Sequence, residues 1–176
     1  PHLGIYTVFR DEANAPSGIN LLDYGCIRIF PPHFVKGVID LYNGLRTYNR
    51  EQVVDAYETW GFQNLSNDLI DVLNLWARFI YGPLLEDRVR RIAEDVSPAE
   101  YGRKQAFSVH QQLREKGPVR VPREFVFMDR AAIGLGGVFL HMDAELNFYR
   151  LFNEQIADFD VDVMAKRQAE SLRSVG

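Results

Sequence analysis

Soft metal ligands are scarce in this chain: one cysteine, Cys26, and four histidines, His2, His33, His110 and His141, in 176 residues. A single thiol excludes an intrachain disulfide and fits a reducing compartment. The histidines stand far apart and show no ligand spacing, which argues against a zinc site. Positive charge is in deficit, with 20 Lys and Arg against 24 Asp and Glu. Phosphate-backbone recognition needs a clustered basic face, so no nucleic-acid partner is expected. The nearest thing to a basic cluster, Arg88, Arg90 and Arg91, reads as a solvated helix face. No apolar run approaches the roughly 18 residues that span a bilayer, and no signal peptide opens the chain. It reads as soluble, and its start at Pro1 rather than Met leads us to expect a piece of a longer protein.

What is present is enough apolar material for one real core, at 47% hydrophobic residues, with no repeat or low-complexity segment. Tyr6-Thr7-Val8-Phe9 and Ile19-Asn20-Leu21-Leu22 favour β structure, and the polar stretch Arg10 to Gly18 between them predicts a hairpin with a long loop. After Pro31-Pro32 the period changes. Phe34, Val35, Val38, Ile39, Leu41, Tyr42 and Leu45 recur at helical spacing. Asn49 is placed to cap a helix over Arg50–Trp60 that Gly61 stops. Ser66 opens another through Tyr81, whose wide apolar arc predicts a central position.

Further on, Ser97-Pro98 starts a peripheral helix toward Lys116. Pro122 to Met142 forms the next, its Ala131, Ala132, Gly134, Gly136 and Gly137 fitting close helix packing better than a phosphate loop, since the spacing is not G-x-G-x-x-G. Asp143 would cap a helix from Ala144 to Ile156, and a last amphipathic helix covers about Val161 to Arg173. The fold class is therefore mainly α with a short N-terminal β-hairpin.

The segment with most chemical content is Leu21-Leu22-Asp23-Tyr24-Gly25-Cys26, followed by Ile27-Arg28-Ile29-Phe30-Pro31-Pro32-His33-Phe34. An acid, an aromatic and a glycine at a strand end are by themselves only a turn signal. With a helix, the polar turn Tyr48-Asn49-Arg50-Glu51 and Trp60-Gly61-Phe62 behind it, the block resembles the C-terminal lobe of the AarF/UbiB-type atypical kinase family. A second block strengthens the likeness: Val121-Pro122-Arg123-Glu124-Phe125, then Arg130, Gly134, Gly136 and Gly137, then Glu145, Leu146 and Phe148. A weaker match covers Pro1 to Tyr6, so the resemblance extends to about Phe159.

The resemblance implies the C-terminal lobe of a protein-kinase-like α+β fold over residues 1–159, with a catalytic-loop remnant, hairpin and D-Y-G turn in 1–30, a helical subdomain in 31–159, and a C-terminal helix in 160–176. It implies an ATP-dependent phosphotransferase or ATPase of the kind linked to ubiquinone and other prenyl-lipid metabolism. Asp23 would take the metal role of the D-F-G acid and bind Mg2+ against the ATP phosphates, and Tyr24 and Gly25 would complete the nucleotide-side turn. Tyr24 keeps an aromatic ring where the family has phenylalanine, so local packing is expected to survive.

The family's catalytic loop reads D-P-H-P-G-N, and Pro1-His2-Leu3-Gly4-Ile5 matches it without its acid. No catalytic residue thus falls within the chain, the expected acid preceding Pro1, and Ile5 stands at the metal-binding asparagine. Lys36, Lys104, Lys116 and Lys166 sit in no V-A-I-K-like strand, so the resemblance implies an N-terminal lobe as partner, and enzyme activity is left open. A catalytically impaired pseudokinase scaffold binding a protein or lipid is the alternative, and an unrelated helical interaction domain a second. The family implies a cytoplasmic, matrix or stromal protein, peripheral to a membrane. Asp158, Asp160, Asp162 and Glu170 oppose an anionic lipid surface, so packing of the last helix on the lobe or capping of a dimer is the better reading.

Overall fold

A computed structural model describes residues 2–25, 27–94 and 121–174, together with Glu100, Phe107, Gln111, Gln112 and Glu115. The order is an antiparallel hairpin, β1 (Tyr6–Arg10) and β2 (Pro16–Leu21), followed by helices α1 (Pro32–Arg46), α2 (Arg50–Thr59), α3 (Asn67–Tyr81), α4 (Arg123–His141), α5 (Phe148–Ile156) and α6 (Val161–Ser174). The helix expected from Ser97 to Lys116 lies, but for Glu100 in a turn and helical Phe107, Gln111, Gln112 and Glu115, outside the described residues.

The hairpin loop is shorter than its composition predicts. Asp11 Oδ1 accepts from the backbone N–H groups of Ala13 (3.0 Å) and Ala15 (2.9 Å), and Asn14 takes a left-handed φ of 61°. A carboxylate that organises the turn in this way frees Pro16 to Gly18 to join the strand. Opposite Gly18 lies Phe9, whose ring crosses the strand so closely that a Cβ on the glycine would stand 2.2 Å from Phe9 Cζ. Tyr6, Val8, Ile19 and Leu21 share one face of this two-stranded ribbon, yet Val8 is 58% and Ile19 66% exposed.

The helical body follows its local signals closely. Asn49 Oδ1 accepts from Gln52 N (3.2 Å) and Ser66 Oγ from Leu69 N (3.2 Å), so both predicted caps are made. Gly61 stops α2 with φ at 98°, in the left-handed region that favours glycine. Helices α1 and α2 form an antiparallel pair. A Cβ at Gly44 would approach Val53 Cγ2 to 2.9 Å, and one at Gly37 would approach Trp60 Nε1 to 2.6 Å. Helix α3 buries Leu69, Ile70, Val72, Leu73, Trp76, Ala77 and Tyr81, the central position expected of it.

The centre of the core is aromatic. Trp60 meets Phe34, Trp76 and Phe125 at ring separations of 5.4, 6.1 and 5.6 Å, and Phe62 meets Phe125 at 5.2 Å. Trp76 Nε1 donates to Asp129 Oδ1 at 2.6 Å, pinning α4 to α3. Asn49→Ala is expected to lower stability by about 1 kcal/mol, the usual cost of a lost N-cap, while Asn49→Asp stays near neutral. Urea midpoints at constant slope measure both.

Three expectations are corrected. Asp143 does not cap a helix; its φ is 52°, and Asn147 caps α5 by accepting from Arg150 N at 3.0 Å. The intervening Leu146 instead bridges to Arg90 through two backbone hydrogen bonds of 3.0 Å, which a helix from Ala144 would forbid. Arg88, Arg90 and Arg91 are therefore on an irregular segment rather than a helix face, paired with Glu86, Glu94, Asp143 and Glu145. Close packing at the α4 glycines is met at buried Gly136 but not at Gly137, where an added Cβ would find nothing within 4 Å. Among the described residues no helix is long and apolar enough to cross a membrane.

Candidate functional site

The ladder between β1 and β2 continues one step past the strands, because Leu22 N donates to Ile5 O at 2.9 Å. That bond puts Ile5 directly beside the residue that leads into Asp23. Ile5 and the residue before Asp23 are thus neighbours across a hairpin, although they stand far apart in the chain.

Asp23 itself shapes the turn. Its Oδ1 accepts from Gly25 N at 2.8 Å, and Tyr24 O accepts from Ile27 N at 3.3 Å. The glycine leaves room for the carboxylate, since a Cβ at position 25 would stand 3.2 Å from Asp23 Oδ1. Asp23 and Gly25 are exposed, and Tyr24 is 61% exposed, so the expectation that its ring keeps a packed environment is not met. The physical reason is that the hairpin is a bare two-stranded ribbon here, offering Tyr24 no second layer to pack on. On the other side, Ile5 ends a 3-10 turn from Leu3, with Ile5 N donating to His2 O at 3.2 Å. Pro1 and Cys26 lie outside the described residues.

This donor set permits only a restricted metal chemistry. Among the described residues no group of three or more His, Cys, Asp or Glu comes together. Beyond its bond from Gly25, Asp23 has no hydrogen-bonding partner among those residues, so it can offer its carboxylate outward. Ile5 has an aliphatic side chain and adds no oxygen. A single exposed carboxylate fits Mg2+, which keeps several waters and takes few protein ligands beside substrate phosphates. It does not fit a dedicated protein cage for a metal.

The segment leaving the turn is tied to the helical body at points the sequence did not signal. The Arg28 guanidinium lies 4.5 Å from the centre of the Phe127 ring, and that of Arg123 lies 5.3 Å from the same ring. Phe30 stacks on Phe34 at 5.3 Å, and Gln168 of α6 donates to Phe30 O at 2.9 Å. No motif marks Gln168. The only hint is a polar residue at the third place of the otherwise apolar series Val161, Met164, Gln168.

A concavity of about 560 Å³ lies where Gly61, Gln63 and Asn64 face Pro122, Arg123 and Glu124. It marks the junction of Trp60-Gly61-Phe62 with the Val121–Phe125 stretch, so the two blocks that carry the family resemblance meet in space and share the Trp60, Phe62 and Phe125 rings. Both blocks act in packing. No family model, curated protein or solved structure matches this chain.

Proposed function

We propose that this chain is the C-terminal lobe of an atypical kinase-like phosphotransferase or ATPase in which Asp23 is the acid for nucleotide-bound Mg2+. The observation that carries the reading is the hairpin that returns the chain from Ile5 to Asp23 with Leu22 N on Ile5 O. A phosphoryl-transfer site draws its metal ligands from two such places, the end of the catalytic loop and the D-F-G-type turn. Asp23 would hold the ion through its carboxylate while its Oδ1 bond to Gly25 N fixes the orientation of that group. The chemistry Mg2+ supplies when bound is neutralisation of charge on the phosphoryl oxygens.

Tyr24 and Gly25 shape the turn on the nucleotide side, and the upper lobe with its phosphate cover and lysine is a partner in this reading. A prenyl-lipid connection belongs to it through the family likeness alone. The side chain of Ile5 favours the impaired form of the same site, a pseudokinase scaffold, because a ligand from the catalytic-loop side is missing.

The resemblance implies Mg2+ and ATP only for this chain together with its upper lobe, so Mn2+ as a paramagnetic stand-in for Mg2+ tests the reading on the two lobes together with ATP present. Amide signals of Tyr24 and Gly25 are expected to broaden first, and Mg2+ to reverse the effect. Asp23→Asn is expected to weaken that binding about tenfold, the scale of one charged ligand, and Ile5→Asn to tighten it. Broadening centred elsewhere, or unchanged in Asp23→Asn, would sink the assignment.

A further inference from the structure

Between Asp23 and the first turn of α1 the chain has few ways to fix itself. Ile29 is 64% exposed, and Pro31 and Pro32 lack N–H groups. The first carbonyl of the α1 ladder is that of Pro31, which accepts from Phe34 N (2.9 Å) and Val35 N (3.2 Å). Phe30 O is left outside the ladder and needs a donor from elsewhere. Gln168 supplies it at 2.9 Å from 138 residues further along the chain.

The rest of α6 explains why this bond has weight. The helix buries no residue fully; Val161, Met164 and Gln168 are its half-buried positions, spaced by three and four, and it packs on α1. On the side away from α1 its residues are exposed, Val163 at 66%. Gln168 is therefore the one polar position on an inner stripe otherwise made of Val161 and Met164. Its amide reaches a backbone carbonyl of the only described covalent link between the exposed hairpin and the helical body.

We propose that Gln168 is a positioning residue for the Asp23 turn. Helix α6 straps the segment Ile27–Phe30 onto α1, and with Arg28 on Phe127 this sets where the turn stands relative to the helices. Only the purpose of that placement rests on Asp23 being a metal acid.

The test uses the full chain with Gln168→Glu, which keeps the shape but loses the amide donor, and Gln168→Lys, which keeps a donor. The carbonyl carbon resonance of Phe30 is expected to shift in Gln168→Glu, because the lost donor served that oxygen. The Tyr24 and Gly25 resonances are expected to shift in that variant and to return in Gln168→Lys. A merely structural contribution of α6 would move the melting temperature and leave those two resonances in place, and that result overturns the proposal. Resonances that shift in Gln168→Glu and return in Gln168→Lys, with no Mn2+ broadening at Gly25 when the unaltered chain is tested together with its upper lobe, support the strap and reject the metal reading instead.

Discussion

Replacing Trp60 by alanine is expected to remove about 3–5 kcal/mol of stability, the range for truncating a fully packed large aromatic. The residue is 4% exposed and its ring touches those of Phe34, Tyr57, Trp76 and Phe125, which come from α1, α2, α3 and α4. It thus joins four helices. Its indole Nε1 also donates to Phe34 O at 3.0 Å in a buried setting. That carbonyl belongs to α1, and Gly37 one turn later leaves the space the indole fills.

Two terms therefore add in the alanine variant: a cavity the helices cannot close, and a buried Phe34 carbonyl left without its indole donor. Trp60→Phe separates them. It keeps most of the ring contact and loses the hydrogen bond, so a smaller cost of about 1–3 kcal/mol is expected. Since a domain of this size has only about 5–15 kcal/mol in total, the alanine variant should lose near-UV circular dichroism at ordinary temperature and show a far lower urea midpoint. A loss below about 1 kcal/mol would mean that the four helices do not depend on this junction.

The second large effect is alkaline. Burial pushes the Tyr57 and Tyr81 phenols far above the usual tyrosine value of 10.0, and for Tyr81 the neighbouring Tyr57 adds to the shift. Both hydroxyls are satisfied as donors, Tyr57 to Asn74 Oδ1 at 3.0 Å and Tyr81 to Val38 O at 3.2 Å, and ionisation would abolish both bonds. Because the folded-state values are raised, the unfolded chain loses these protons first. The stabilisation is fully present below about pH 10 and is lost as pH rises above it.

Each tyrosine contributes a slope of up to about 1.4 kcal/mol per pH unit while it stays protonated in the fold, so stability falls from about pH 10 upward. Denaturant titrations across that range, with phenolate absorbance followed in parallel, measure it. Tyr81→Phe is expected to halve the slope at the cost of one hydrogen bond at neutral pH. A stability that stays level through pH 11 would contradict the burial of these phenols.

Much of the local structure was legible in the residues. Pro31-Pro32, Asn49 and Ser66 announced where helices begin, and Gly61 where one ends, because capping chemistry acts within a few residues. The hairpin was legible too, but its loop was overestimated, since nothing in the composition said that the Asp11 carboxylate would close the turn and leave Pro16 free for the strand. Asp143 misled for a similar reason. It is an acceptable cap residue, but it lies in the turn that ends α4, and the Arg90–Leu146 bridge follows where a helix would have to start.

At the site, the sequence by itself determined that Asp23, Tyr24 and Gly25 form a turn at a strand end, and that the helices beyond carry apolar stripes. The tertiary structure alone decided that Ile5 lies beside Leu22, that Tyr24 points into solvent, and that Gln168 reaches Phe30. The physical reason is the range of the forces. Caps and periodicity are read within one or two turns and specify which face of an element is apolar. They leave open which of several apolar faces it meets, and a single polar residue on such a face finds its partner only when the helices have packed.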